Sequence, residues 1–452
     1  MTVDRDAADP GVQAGESPDT PGRRGRVGDG LGRGRRRSRG IGLALLASLT
    51  ALVVAGCAED KPLNTFEPRG PKAEQIDSLM MPIWGIMGVV FVLVIGGTIW
   101  LALRNRVNPD TYDPDDLPAQ THGNFRLEIA WTIAPALVLA LISIPVVANI
   151  WSLEKKGDGV EVMVIGQQWW WEYRYDVDGD GFFVDANGDG VVDEADQELP
   201  LNIALDRDDV VTANELVIPA GEQVDLVLTS RDVIHSFWIP RLNGKRDTVP
   251  GRWHTWALQA DEPGKFTGWC TEFCGMSHAR MRMSTIALPR ADFDQWLANQ
   301  ATPAEVPTET EAAAGYELFQ NQCMSCHVIN DGNLDYGENF EAALTAGGAP
   351  NLTHFATRTV FAGATLPVYL GPGTDPNDDA FNVENYLDLS ALAADADSPD
   401  DYRLNRPLLK QWVSDASQLK DMSPDDGRGM LPFPQLTDEQ LNQIVAYLAT
   451  LD

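Results

Sequence analysis

The chain has 452 residues, with 66 acidic against 34 basic side chains and a formal net charge of −32. That length predicts more than one domain. The charge excludes nucleic acid as a partner, because phosphate would be repelled, and suits a basic partner or a salty medium.

Residues 1 to about 40 are rich in Gly, Arg, Asp and Pro without apolar periodicity, and read as disordered and cytoplasmic. The basic run from Arg33 to Arg39 has the look of a nucleic-acid arm. It precedes an apolar run, 41–55, too short to span a bilayer and suited to a signal-peptide core. Val54-Ala55-Gly56-Cys57 resembles a bacterial lipobox. It implies removal of residues 1–56 and a lipidated Cys57; an uncleaved anchor with a chance Cys is the alternative. Residues 57–82 read as a linker. Residues 83–103 are long and apolar enough for a bilayer, with Trp84 and Trp100 near its two surfaces, and 128–151 supplies a second span. Arg104, Arg106 and Arg126 flank the loop 104–127 and place it in the cytoplasm, with Lys155 and Lys156 as weak contrary evidence. The result is a helical hairpin with both ends outside.

Residues 152–298 read as a β domain. The aromatic run Trp169-Trp170-Trp171-Glu-Tyr173-Arg-Tyr175 predicts a packed sheet face. Alternation predicts strands at 215–219, 224–228 and 252–258. An acidic insert, 176–198, interrupts them. Within it Asp185, Asn187, Asp189, Gly190, Val191, Asp193 and Asp196 follow the spacing of a calcium loop, with Val191 offering its carbonyl. Asp196 replaces the usual Glu, so the expected affinity is of order 10⁻⁴–10⁻³ M. A solvated acidic hairpin is the alternative.

The densest chemistry lies in Cys270-Thr-Glu272-Phe-Cys274-Gly-Met-Ser-His278-Ala-Arg-Met281, with His235 available upstream. Soft thiolate, imidazole and thioether suit copper, zinc or iron. Two Cys, two His and a Met are too many for one tetrahedral zinc; two thiolates bridging a copper pair would use them all. A Cys270–Cys274 disulfide is the bland alternative. His254 is left as a sheet residue. After a linker, 299–311, the segment 312–452 opens with a helix running into Cys323-Met-Ser-Cys326-His327. That spacing reads as c-type haem attachment, since a thioredoxin-like motif would need a βαβ context. Thr437 and Gln440 form a capping-box start, and Leu441, Ile444, Val445, Leu448 and Leu451 line one face of a terminal helix. The acidic stretch 366–400 has no assigned role.

Asp232-Val-Ile-His235-Ser-Phe, Lys245-Arg-Asp247-Thr-Val-Pro250-Gly-Arg252 and the Cys-x-Glu-x-Cys-Gly-x-x-His-x-x-Met motif together resemble the binuclear copper (CuA) domain of cytochrome c oxidase subunit II. The resemblance implies a transmembrane hairpin, a cupredoxin-like β-sandwich and, fused to it, an all-α class I cytochrome c domain. Cys270 and Cys274 would bridge two copper ions, with His235 on one copper and His278 on the other. Met281 and the Glu272 carbonyl would be weak ligands, and the Glu272 carboxylate would face magnesium at the seam with subunit I. Glu128-Ile-Ala-Trp131-Thr-Ile-Ala-Pro135 resembles the start of the family's second helix, which puts Glu128 at the mouth of a proton channel; chemistry alone makes it an interfacial carboxylate at a helix start. Trp169 matches the Trp through which electrons reach copper. In the C-terminal segment Pro350 would hold the His327 imidazole through its carbonyl, and Thr353, His354 and Arg358 would lie near a haem propionate. Met430, shortly before Pro432, is the expected sixth ligand, with Met422 the runner-up and Met324 pointing away. The expected activity is electron transfer from a cytochrome c or a cytochrome-containing reductase to subunit I of a proton-pumping oxidase, from the outer face of a bacterial inner membrane. A membrane-tethered carrier for another reductase and a zinc-stabilised binding lipoprotein are the rival readings.

Overall fold

The computed structural model describes residues 61–107, 113, 123–177, 210–308, 310–331, 349–377, 379–394, 402–424 and 427–452. The proposed signal peptide and Cys57, and the calcium loop from Asp185 to Asp196, lie outside the described residues.

Two long helices come first, α1 (Pro71–Arg104) and α2 (Phe125–Leu153). Helix α1 begins well before the apolar run that predicted it. Pro71 sits in its first turn, where a missing N–H costs nothing and the fixed φ is already helical. The extra turns are polar because they pack on the end of α2. Lys72 Nζ donates to Ser152 O at 2.8 Å, and Gln75 Nε2 to Asn149 Oδ1 at 3.0 Å. The start of α1 therefore meets the end of α2, as an antiparallel hairpin requires. Asn124 caps α2 by accepting from the Arg126 and Leu127 amides. Phe91, Leu93 and Leu139 are exposed along the hairpin. Side chains this apolar face a lipid phase, not water.

The β domain follows: β1 (Glu161–Gln167), β2 (Trp170–Tyr175), β3 (Val210–Ala213), β4 (Glu215–Pro219), β5 (Val224–Ser230), β6 (His235–Phe237), β7 (Arg246–Thr248), β8 (His254–Leu258), β9 (Gly264–Trp269) and β10 (Arg282–Leu288). One sheet has the order β3-β2-β1-β5-β8 and a second β4-β10-β9, with β6-β7 as a separate ribbon. Strands β4 and β10 run parallel, as do β1 and β5. The aromatic run packs as expected: Trp171, Tyr173 and Tyr175 are buried between the sheets, and the Tyr175 hydroxyl donates to Val217 O at 2.9 Å. Arg246 pairs with Glu154 at 2.6 Å, which fixes the β domain to the end of the hairpin where α2 emerges.

Helix α3 (Arg290–Gln300) closes the sandwich with Phe293 and Trp296. The segment expected to be a linker is tied down: the Ala304 amide donates to Asn330 O at 2.7 Å. Helix α4 (Thr310–Gln322) then packs on the terminal helix α7 (Asp438–Leu448). A Cβ at Gly315 would collide with Gln443 O, so only glycine lets the two helices cross this closely. Both halves of the Thr437–Gln440 capping box are present, and the predicted apolar face of α7 is buried. The C-terminal segment departs from a purely helical fold. Between α4 and α7 lie α5 (Leu389–Ala394) and α6 (Arg406–Asp415), and two short ladders: β11 (Val360–Phe361) with β12 (Leu366–Pro367), and β13 (Tyr369–Leu370) with β14 (Arg403–Leu404). The ladders fall in and beside the acidic stretch 366–400, where Pro and Gly break helical periodicity.

Candidate metal centres

The first centre is assembled from two loops. Strand β6 presents His235; the turn between β9 and β10 presents Cys270, Cys274, His278 and Met281. The two sulfurs lie 3.8 Å apart. Cys270 Sγ is 3.9 Å from His235 Nδ1 and 3.3 Å from the Glu272 carbonyl. Cys274 Sγ is 3.5 Å from His278 Nδ1 and 3.7 Å from Met281 Sδ. The His235, Cys270 and Cys274 donor atoms all lie within 4.8 Å of one another. Both thiols are free, so the disulfide alternative has no support here. The hydrogen bond from the Cys274 thiol, helped against burial by His235, pulls Cys270 down to about 4. The same bond, with burial, raises Cys274. Two close, buried thiols beside an imidazole and a thioether are the donor set a soft cation would take, losing their protons to it. This donor set fits copper.

Asp232 completes the site, and the motif search missed it. Its Oδ1 lies 2.8 Å from His235 Nε2, which turns Nδ1 toward the thiols. Burial opposes the charge on Asp232, but the His235 hydrogen bond and the Val233 and Gln168 amides outweigh it and lower the pKa. It stands in the Asp232-Val-Ile-His235 stretch that carries the resemblance, but no role was assigned to it there. Gln168 was also missed: its Nε2 donates to Cys274 O at 2.5 Å. Trp169 Nε1 donates to the same carbonyl at 3.1 Å. Trp169 is 5% exposed, not open to solvent as a docking indole would be, because the C-terminal segment covers it.

What covers it is the second centre. A cavity of about 460 Å³, within the usual range for a small-molecule site, is lined by Trp169 on one side and by Cys323, Cys326 and His327 on the other. Met422, Met430 and Arg358 also line it; Met324 does not. His327 Nδ1 lies 2.8 Å from Pro350 O, as expected. Burial lowers the pKa of this imidazole and keeps it neutral, the form that binds metal. Arg358 is buried, and its Nε has no partner among the described residues. Arg358 Nη2 donates to Asn351 O at 2.7 Å, which leaves Nε. An apolar cavity with two thiols, a neutral imidazole and this spare guanidinium N–H fits a haem with acidic edges. Thr353 and His354 are not on its wall. His354 has Asp452 O and Thr302 O at 2.9 Å from its ring nitrogens, and Thr353 donates to Asn351, so both are structural ties.

Glu128 is not brought to either centre. It lies exposed in the first turn of α2, about 40 Å from the copper-side end of that helix at 1.5 Å per residue. The Glu272 carboxylate is exposed beside the copper loop.

Comparison with known proteins agrees with this architecture. The family model for the periplasmic domain of cytochrome C oxidase subunit II matches residues 160–287, and that for its transmembrane domain matches 63–148. Cytochrome c oxidase subunit 2 of Alkalihalophilus pseudofirmus is 30% identical over 413 residues, covering 89% of this chain and 95% of the relative. The Bacillus subtilis protein of the same name is 28% identical over 433 residues, covering 90% and 97%. The Arabidopsis thaliana protein is 30% identical over 218 residues, covering 47% and 80%. With two membrane spans, a β-sandwich carrying a soft-metal loop and relatives matched along nearly their whole length, this chain belongs to the cytochrome c oxidase subunit 2 family.

Proposed function

We propose that the chain is the electron-accepting subunit of a haem-copper oxidase. In this reading it holds a covalent haem c on Cys323, Cys326 and His327. A copper pair sits on Cys270, Cys274, His235, His278, Met281 and the Glu272 carbonyl. Oxygen reduction belongs to subunit I. When bound, the iron and the copper pair supply one-electron redox chemistry with little rearrangement. The residues of the chain do the rest. Asp232 orients His235, and Pro350 orients His327. Trp169 borders the haem cavity and donates to the Cys274 carbonyl, so it spans the two centres. Arg358 offers its unpaired Nε to a propionate. Glu128 takes protons at the cytoplasmic mouth of α2, and the Glu272 carboxylate holds magnesium against subunit I. We assign the lipidation of Cys57, the outer-face location of both centres, calcium in the 185–196 loop and a basic cytochrome c-like donor to the same reading. The observation that carries it is Trp169, shared between the thiol cluster and the Cys-x-x-Cys-His cavity. Visible and near-infrared spectra with metal analysis of the purified protein test it. Haem c bands and two coppers per chain are expected; neither haem bands nor copper would overturn it.

The sixth iron ligand is Met430 in this reading. Met430→Ala is expected to remove the far-red thioether-to-iron band. If the band survives that change and disappears in Met422→Ala, Met422 is the ligand. A band that survives both changes excludes these two methionines as the ligand.

A further inference from the structure

The acidic stretch that the motifs left without a role lies on the copper domain. The contacts fall at three places. At the first, Glu215, 1% exposed at the start of β4, accepts from the Thr359 amide at 3.1 Å, from the Thr359 hydroxyl and from the Tyr386 hydroxyl at 2.7 Å. At the second, Asp379 accepts from the Thr267 amide at 3.1 Å, the Thr267 hydroxyl at 2.7 Å and Arg241 Nη1 at 3.2 Å. Each half of the interface thus contributes a carboxylate whose hydrogen-bond donors, among the described residues, come from the other half. Separation would leave buried donors and acceptors unpaired on both sides, an expensive state.

The third contact reaches the candidate electron path itself. Ala362, Gly363 and Ala364 form a tight left-handed bend with φ of 56°, 70° and 53°. Non-glycine residues hold such angles only where the surroundings over-determine them. Here the Arg282 amide, next to Met281, donates to Gly363 O at 2.9 Å. Lys420 Nζ, buried, donates to Trp169 O at 2.6 Å and to Ala362 O at 2.9 Å. A Cβ at Gly363 would collide with Trp169 O and Lys420 Nζ. The bend therefore grips the backbone of Trp169 and the backbone beside the Met281 thioether.

We infer that residues 359–377 and 379–394, with Lys420, form an intramolecular clamp that locks the Cys-x-x-Cys-His cavity onto Trp169, so that electrons pass to the copper loop through one permanently docked geometry. The residues named are positioning residues. Each transfer moves one electron, oxidising the iron and reducing the copper pair, with no bond made or broken. A domain merely tethered by 299–311 would need to collide anew for each transfer; this one does not.

This inference rests on the haem and copper reading above. The full-length protein in detergent, with both centres loaded, tests it. Asp379→Ala and Tyr386→Phe change the clamp and leave every proposed ligand in place; Gly363→Val changes the bend. Spectra and midpoint potentials are expected to stay as in the wild type. Flash-triggered haem-to-copper transfer is expected to lose its single fast phase and to gain a slower phase that is sensitive to solvent viscosity. Amide exchange at Thr267 and Arg282 is expected to rise. If Gly363→Val does not fold, Asp379→Ala decides. Transfer rate, viscosity dependence and exchange all equal to wild type would overturn the clamp. Absence of haem bands in the wild type would instead overturn the reading beneath it.

Discussion

Cys274→Ser is expected to abolish the two-copper signal and oxidase turnover together. Cys274 is 2% exposed, and its sulfur is the one nearest to three other donors: Cys270 at 3.8 Å, His278 at 3.5 Å and Met281 at 3.7 Å. A serine oxygen there is hard and does not ionise at neutral pH, so it cannot bridge two soft ions. The loss should be complete, because no other side chain in the cluster can take a bridging place. Cys274 lies in the same buried cluster as Trp171, Phe237 and Met283, but serine is close to cysteine in size and leaves no cavity, so the β-sandwich should still fold. Electron paramagnetic resonance and the near-infrared band report the pair. A Cys274→Ser protein that kept a two-copper spectrum would exclude the assignment.

The double change Cys323→Ala and Cys326→Ala is expected to remove covalent haem entirely while leaving the copper spectrum intact. The two thiols sit in the turn after α4, where the Cys326 and His327 amides fold back on Cys323 O at 3.1 Å and 2.9 Å. That turn keeps His327 against Pro350 whether or not the thiols are present. The copper ligands come from different strands, so the centres should separate cleanly. Haem staining after denaturing electrophoresis and the near-infrared band measure the two independently. Turnover from an external donor should be lost, because Trp169 is covered by this cavity and not by solvent. Undiminished turnover in the double variant would mean that electrons bypass the cavity.

These two centres were legible in the sequence because their chemistry is local. Five of the six proposed copper donors fall within 270–281 and the proposed haem attachment within 323–327, so residue spacing alone brings them together once a loop forms. The hairpin was legible for the same reason, as hydropathy accumulates over contiguous residues. Strand β4 was read at its observed bounds, 215–219, since alternation of side chains is a nearest-neighbour property. The start of α1 was missed because packing on α2, not hydropathy, supports its first turns.

The tertiary structure alone decided how the parts combine. Lys420 meets the Trp169 carbonyl across 251 residues of sequence, Tyr386 meets Glu215 across 171, and Asp379 meets Thr267 across 112. No periodicity or motif encodes such pairs, because each partner looks locally like an ordinary polar residue. Only their joint burial shows that each needs the other. Trp169 makes the same point. Its indole type and place in the aromatic run were plain from the sequence, but its burial beneath the Cys-x-x-Cys-His cavity followed from a segment joined to it only through the fold. The sequence by itself determined which side chains could bind metal and which stretches are long and apolar enough to cross a bilayer; the fold decided that the thiol cluster and the Cys-x-x-Cys-His cavity share one buried residue, because only long-range packing can hold them there.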